Sequence, residues 1–222
     1  MKLHIGIHVA ALLLGTAGLS VGWAAPSDDA APAAVALEQL QKAEADAALG
    51  AAVLQEGTRV AAVCANCHGP DGNSTYPETP NLAAQNPRYL LVQMEKFIDG
   101  RRRYEFMEGM LKAMTPQERV GAALFYSRQK VTSRASADAA LRAQGKTYYE
   151  KVCFRCHGSD GRGSEEYARL AGQQSSYVMT ALKRYRDNAQ DGVRRDPLMA
   201  ATTKLMSDDD IRAVAAYVVS MP

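Results

Sequence analysis

The sequence predicts an all-α protein built from two tandem copies of one small helical domain. Three observations predict it. A block is repeated, as Cys64-Ala65-Asn66-Cys67-His68-Gly69-Pro70-Asp71-Gly72 and as Cys153-Phe154-Arg155-Cys156-His157-Gly158-Ser159-Asp160-Gly161. Each copy closes with a helix that carries its own start signal. No segment shows the sustained period-2 alternation of a strand. With 222 residues in all, each copy is near the size at which an apolar core needs a further staple.

The elements follow in order. Residues 1–24 read as a secretory leader: Lys2, an apolar run from Val9 to Val21, then Gly22 and Ala24 around Trp23. The run is short for a membrane span and ends in small residues, as a cleavage site does, which places the mature protein in the periplasm; a retained anchor is the alternative. Residues 25–54, rich in alanine with a single lysine, read as a partly helical, poorly packed arm with Val35, Leu37 and Leu40 along one side. The first domain spans 55–130, a serine- and alanine-rich linker 131–140, and the second domain 141–222. Each domain opens with a helix containing Gly57 or Gly145, where a missing Cβ allows Phe125 or Tyr217 of the closing helix to approach. A middle helix runs from about Pro87 to Asp99 with Tyr89, Leu90, Met94, Phe97 and Ile98 as its core stripe. Its counterpart runs from about Ser175 to Asn188 with Tyr177, Val178, Ala181, Leu182 and Tyr185. The closing helices start at Thr115-Pro116-Gln117-Glu118, a capping box with proline at the first helical position, and at the acidic equivalent Ser207-Asp208-Asp209-Asp210.

The repeated motif carries the chemistry. All four cysteines lie within its two copies, and C-x-x-C-H is the attachment signature of c-type haem. Cysteines three apart, with histidine one further on, share one side of a helical turn. The thiols Cys64, Cys67, Cys153 and Cys156 can then form thioethers with haem vinyl groups, while His68 and His157 reach the iron. A zinc ribbon or a redox dithiol also uses C-x-x-C, but two copies with no spare cysteine and a leader favour two covalently attached haem c groups.

The chain has four histidines, His4, His8, His68 and His157. Removal of the leader leaves only the two in the motifs, which excludes bis-histidine ligation, and cysteine ligation is excluded with it. Methionine is the remaining soft distal ligand. Met107, Met110 and Met114 compete in one half, Met199 and Met206 in the other. Met114 and Met206 stand just before the helix cap, where an apolar residue serves as a hydrophobic staple. Met110 matches Thr202, so it has no repeat counterpart. Met107 and Met199 stand at one shared distance before Thr115 and Ser207, which selects them over the alternative of gap-filling core methionines. Pro80, two residues before Leu82, is placed to offer its carbonyl to His68; Arg169, before Leu170, is read as its equivalent for His157.

These residues resemble the two-haem class I cytochromes c of the cytochrome c4 family. The resemblance rests on the two C-x-x-C-H-G motifs, Pro80 to Gln85, Leu170 to Gln173, Tyr89, Tyr177, and Met107 to Leu111 before Thr115, and covers about residues 55–222. It implies two tandem cytochrome c-like domains with facing haem edges, and a periplasmic carrier rather than an enzyme. Electrons would pass from a membrane-bound quinol-oxidising complex or a dehydrogenase to a terminal oxidase or reductase, with room for peripheral association with the membrane. The alternative is the cytochrome subunit of a larger oxidoreductase, such as a flavocytochrome c sulfide dehydrogenase. A di-haem peroxidase is a third reading, but no distal acid–base residues support it. Lysine and arginine number 26 against 24 acids, a balance with no basic field for nucleic acid. Arg101-Arg102-Arg103 and Arg194-Arg195 precede the two methionines, either to meet propionates or acidic partners or as solvated loops.

Overall fold

The structure is a computed structural model that describes residues 31–134, 138–187 and 196–222. The leader, the first residues of the arm, the centre of the linker and Arg194-Arg195 lie outside the described residues. Among the described residues there are ten α-helices and no strand. The arm forms α1 (Ala31–Ala45) and the first half of the chain continues as α2 (Ala47–His68), α3 (Pro87–Ile98), α4 (Glu105–Lys112) and α5 (Pro116–Ser127). The second half comprises α6 (Ala139–Lys151), α7 (Phe154–His157), α8 (Ser175–Arg186), α9 (Pro197–Thr203) and α10 (Asp208–Ser220). Each half has its own buried cluster, one around Leu91, Val120 and Tyr126, the other around Tyr149, Ile211 and Val218.

Opening and closing helices cross at the predicted glycines. The partner at the crossing is backbone rather than an aromatic ring. A Cβ on Gly57 would stand 2.0 Å from the Gly121 carbonyl oxygen, and one on Gly145 would stand 1.9 Å from that of Ala213. The close approach therefore belongs to helix backbones, with the Tyr217 Cβ next nearest to Gly145 and Phe125 packed at the edge of its cluster. Both predicted capping boxes form, at Thr115 with Glu118 and at Ser207 with Asp210.

The arm departs from expectation. α1 packs against α2, α3 and α5, and Ala36, Leu40 and Ala43 are buried in the first cluster. Alanines at this spacing make a narrow helix face that lies close to its neighbours, so few large residues were needed to signal it. α2 begins at Ala47, capped by the Asp46 carboxylate, and runs through the expected boundary at residue 55. The two ends of the linker are also tied down: the Asn73 side chain donates to the Lys130 carbonyl and accepts from the Thr132 N–H, and Asp138 already caps α6.

One polar feature of the core was not legible. Arg119 and Glu95, both almost fully buried, form an ion pair at 3.1 Å, and Arg119 also donates to the Met114 carbonyl at 2.6 Å. Burial outweighs the neighbouring cation and pushes the Glu95 carboxyl above the usual carboxylate range. The pair anchors the α4–α5 turn, directly beyond the methionine-bearing helix. At the same register in α10 stands the buried, apolar Ile211.

Two outcomes are expected from denaturant unfolding. Leu40→Ala will cost about 2–4 kcal/mol, as truncation of a core leucine does, whereas a loosely attached arm would leave the midpoint unchanged. Arg119→Met alone will cost about 3–5 kcal/mol by stranding the Glu95 charge, and the added change Glu95→Gln will recover much of that loss.

Candidate functional site

Each motif histidine is delivered by a helix end and oriented by a loop carbonyl. In the first half Cys64, Cys67 and His68 occupy the last turns of the continuous α2, and Gly69, in a positive-φ conformation, closes it with an N–H bond to Ala65. The second half holds one residue more between Gly145 and Cys153 than the first holds between Gly57 and Cys64. An α-helix cannot absorb that residue in register, so the helix breaks at Val152 and the motif restarts on the single turn of α7. Gly158 then caps α7 as Gly69 caps α2.

No disulfide joins the four cysteines. Burial pushes the Cys64 thiol up and that of Cys153 up to about 11, the opposite of the lowered thiol that a redox dithiol uses. His68 and His157 are each about nine-tenths buried. The Nδ1 of His68 lies 2.9 Å from the Pro80 carbonyl oxygen, and that of His157 lies 2.9 Å from the Ala168 oxygen. A carbonyl can only accept, so Nδ1 carries the proton and the Nε2 lone pair of each ring is left as a ligand. Burial lowers both histidine pKa values and favours this neutral form.

The supporting residue in the second half is thus Ala168 and not Arg169. The repeat aligns Leu82 with Leu170, so Pro80 pairs with Ala168, and Arg169 takes the place of Asn81. No proline is needed at this position, because the loop is held by other bonds. The Gly72 carbonyl accepts from Leu82 and Ala83, and the Gly161 carbonyl accepts from Leu170 and Ala171. The loop then turns through a left-handed residue, Ala84 at φ 51° or Gly172 at φ 72°, whose N–H bonds to α5 or α10 through Tyr126 or Val218.

Met107 and Met199 both sit at the third position of a short helix, in α4 and α9, and both are half-buried. Asp196 caps the Met199 N–H. Met206 lies in the second cluster, while Met110 and Met114 are half-buried. The arginine run before Met107 is divided among separate partners. Arg101 pairs with Asp99 and Arg103 with Glu108. Arg102 stacks over Phe97 and donates to Gln93 and to the Tyr177 hydroxyl of the other half.

The two halves meet at these same loops. Gln85, Gln173, Asn81 and Gln174 are all buried there and bond across the boundary. These residues were absent from the predicted site, although the shared Leu-Ala-x-Gln of the repeat is the signal that could have found Gln85 and Gln173. The donor set fits haem c: paired thiols beside a buried imidazole with an available Nε2, in each half. Arg169 adds a buried Nε with no protein partner, suited to a propionate carboxylate.

Comparisons with known proteins cover both halves of the chain. The family pattern described as Cytochrome c matches residues 54–132 and again 142–222. A cytochrome c4 of Azotobacter vinelandii is 35% identical over 181 residues, covering 73% of this chain and 86% of the relative. A thiosulfate dehydrogenase electron acceptor of Thiomonas intermedia (strain K12) is 31% identical over 176 residues, covering 73% and 80%. The crystal structure of reduced recombinant cytochrome c4 from Pseudomonas stutzeri superposes with a TM-score of 0.66 at 28% identity, covering 76% of this chain and 98% of that one.

The left-handed turn gives a paired prediction. Ala84→Gly will stabilise the protein by up to about 1 kcal/mol by removing the Cβ strain of a positive φ. Gly172→Ala will destabilise it by more than about 1 kcal/mol, because its Cβ would also fall 2.3 Å from Val131 Cγ1. Opposite shifts in thermal midpoint check both.

Proposed function

The chain belongs to the cytochrome c family, as a two-haem protein of the cytochrome c4 kind, and we propose from that premise which residues carry its electrons and which partners it serves. It holds two covalently attached haem c groups and is an electron carrier rather than an enzyme. We assign Cys64 and Cys67, and Cys153 and Cys156, to the thioether attachments. His68 and His157 are the proximal ligands, and Met107 and Met199 the distal ones. The observation that carries this reading is the doubled arrangement of a buried histidine, oriented through Nδ1 by a backbone carbonyl, with a methionine at the same position of a short helix in each half.

Haem c, when bound, supplies a one-electron ferric–ferrous couple. The chain's own residues do the rest. Pro80 and Ala168 hold the imidazoles in one tautomer and orientation. The thioether sulfurs of Met107 and Met199 would serve as the second protein ligand of each group and would favour the ferrous state. The clusters around Leu91 and Ile211 would keep water from the two groups, and the hydrogen bonds between the two histidine-supporting loops support transfer between them.

The leader at 1–24 supports export to the periplasm, where a membrane-bound quinol-oxidising complex would reduce the protein and a terminal oxidase or reductase would oxidise it. A second reading has a specific support: the Thiomonas relative bears the name of an electron acceptor of thiosulfate dehydrogenase. On that reading a sulfur-oxidising dehydrogenase is the donor.

Carbon monoxide binding to the reduced protein tests the ligand assignment. The unmodified protein will bind it slowly or not at all, and its oxidised form will show the weak iron–thioether band in the red. Met107→Ala or Met199→Ala will each remove about half of that band and open one haem. Met110→Ala, Met114→Ala and Met206→Ala will leave both properties intact. Stoichiometric binding by the unmodified protein would instead mark an open site and an enzyme.

A further inference from the structure

The peptide unit that orients each motif histidine is itself held by a glutamine of the other half. His68 Nδ1 bonds to the Pro80 carbonyl. The N–H on the far side of that same peptide unit, belonging to Asn81, donates to Gln173 Oε1 at 2.7 Å. Across the pseudo-symmetric boundary the order recurs. His157 Nδ1 bonds to the Ala168 carbonyl, and the N–H of that peptide unit, from Arg169, donates to Gln85 Oε1 at 2.8 Å. Each glutamine returns a second bond from Nε2 to the carbonyl of the same partner residue, Asn81 at 3.0 Å and Arg169 at 3.1 Å. Each Oε1 also accepts from the N–H of its own next residue, Gln174 or Asn86, which fixes the amide orientation. Both glutamines are more than nine-tenths buried, so water does not compete for these groups.

We propose that Gln85 and Gln173 are positioning residues that act across the boundary, each tuning the haem of the half to which it does not belong. The physical link is cooperative polarisation. A peptide N–H that donates a hydrogen bond makes its own carbonyl a stronger acceptor, by roughly 10–30% per bond in a chain of such bonds. The stronger acceptor draws on the histidine Nδ1–H, and the imidazole becomes a more basic iron ligand. A more basic ligand favours ferric iron and lowers the reduction potential. Any change in how the two halves dock would then be felt at both irons through fixed dipoles, without a change of ligand. This inference rests on the proximal role assigned to His68 and His157.

The test uses the holoprotein with 15N-labelled histidine. In the reduced state the Nδ1–H proton shift of each ring reports the strength of its bond to the carbonyl, and a redox titration gives the two potentials. Gln173→Ala will move the His68 ring proton upfield and raise the potential of the first-half haem, leaving the His157 signal in place. Gln85→Ala will do the converse. Gln173→Glu, which keeps an acceptor for the Asn81 N–H, will retain the downfield His68 signal and covers the case in which the alanine variant folds poorly. Thr180→Ala removes a bond to Glu78 across the same boundary and will move neither ring proton. The proposal is overturned if the ring protons stay put in the glutamine variants, if both haems respond equally to either one, or if the effect appears in the mutated half. A normal low-spin spectrum accompanying any of these results would sink the relay alone, whereas an abnormal spectrum in the unmodified protein would sink the ligand assignment beneath it.

Discussion

The rest of the structure depends on the bond between each motif histidine and a carbonyl of the loop that follows it. A buried imidazole with one nitrogen committed to an acceptor has a defined tautomer, and its other nitrogen is free for a metal. To present that carbonyl, the loop must leave the motif through a positive-φ glycine, return to the Gly72 or Gly161 oxygen, and turn again through Ala84 or Gly172. Those returns place the loop against the closing helix, whose position is set by the glycine crossing with the opening helix. Helix crossing, loop and histidine therefore form one mechanical unit in each half.

The two units are similar in plan and different in execution. The first embeds an ion pair beneath its methionine helix, while the second places isoleucine at that register. The first carries its motif on one long helix, and the second breaks that helix to absorb an added residue. Local charge differs as well: Arg102 acts on His68, and Asp196 on His157. The shared loops join the units edge to edge through buried amides, which suits a carrier that must pass electrons internally while keeping each site dry.

The motifs and the capping boxes were legible because each is a local pattern with a chemical reason for its spacing. The repeat register, counted back two residues from Leu82 and Leu170, points to Ala168 rather than Arg169, and since any residue supplies a carbonyl, side-chain identity gave no signal to correct a slip of one position. The packed arm was misread because its buried face is mostly alanine, and alanine signals burial weakly in a sequence already rich in it. Arg119 and Glu95 were invisible for another reason: charged residues at helical spacing normally face solvent, and their burial depends on each other and on the Met114 carbonyl.

What the sequence determined by itself was the chemistry of each half: two thiols, one imidazole, and a helical frame that repeats. These follow from residue identity and short-range spacing. What only the tertiary structure decided was how the halves address each other. Asn81, Gln85, Arg169 and Gln173 meet through backbone groups far apart in the chain. Backbone N–H and C=O groups are common to nearly every residue, so no sequence pattern announces which of them will pair until the fold brings them face to face.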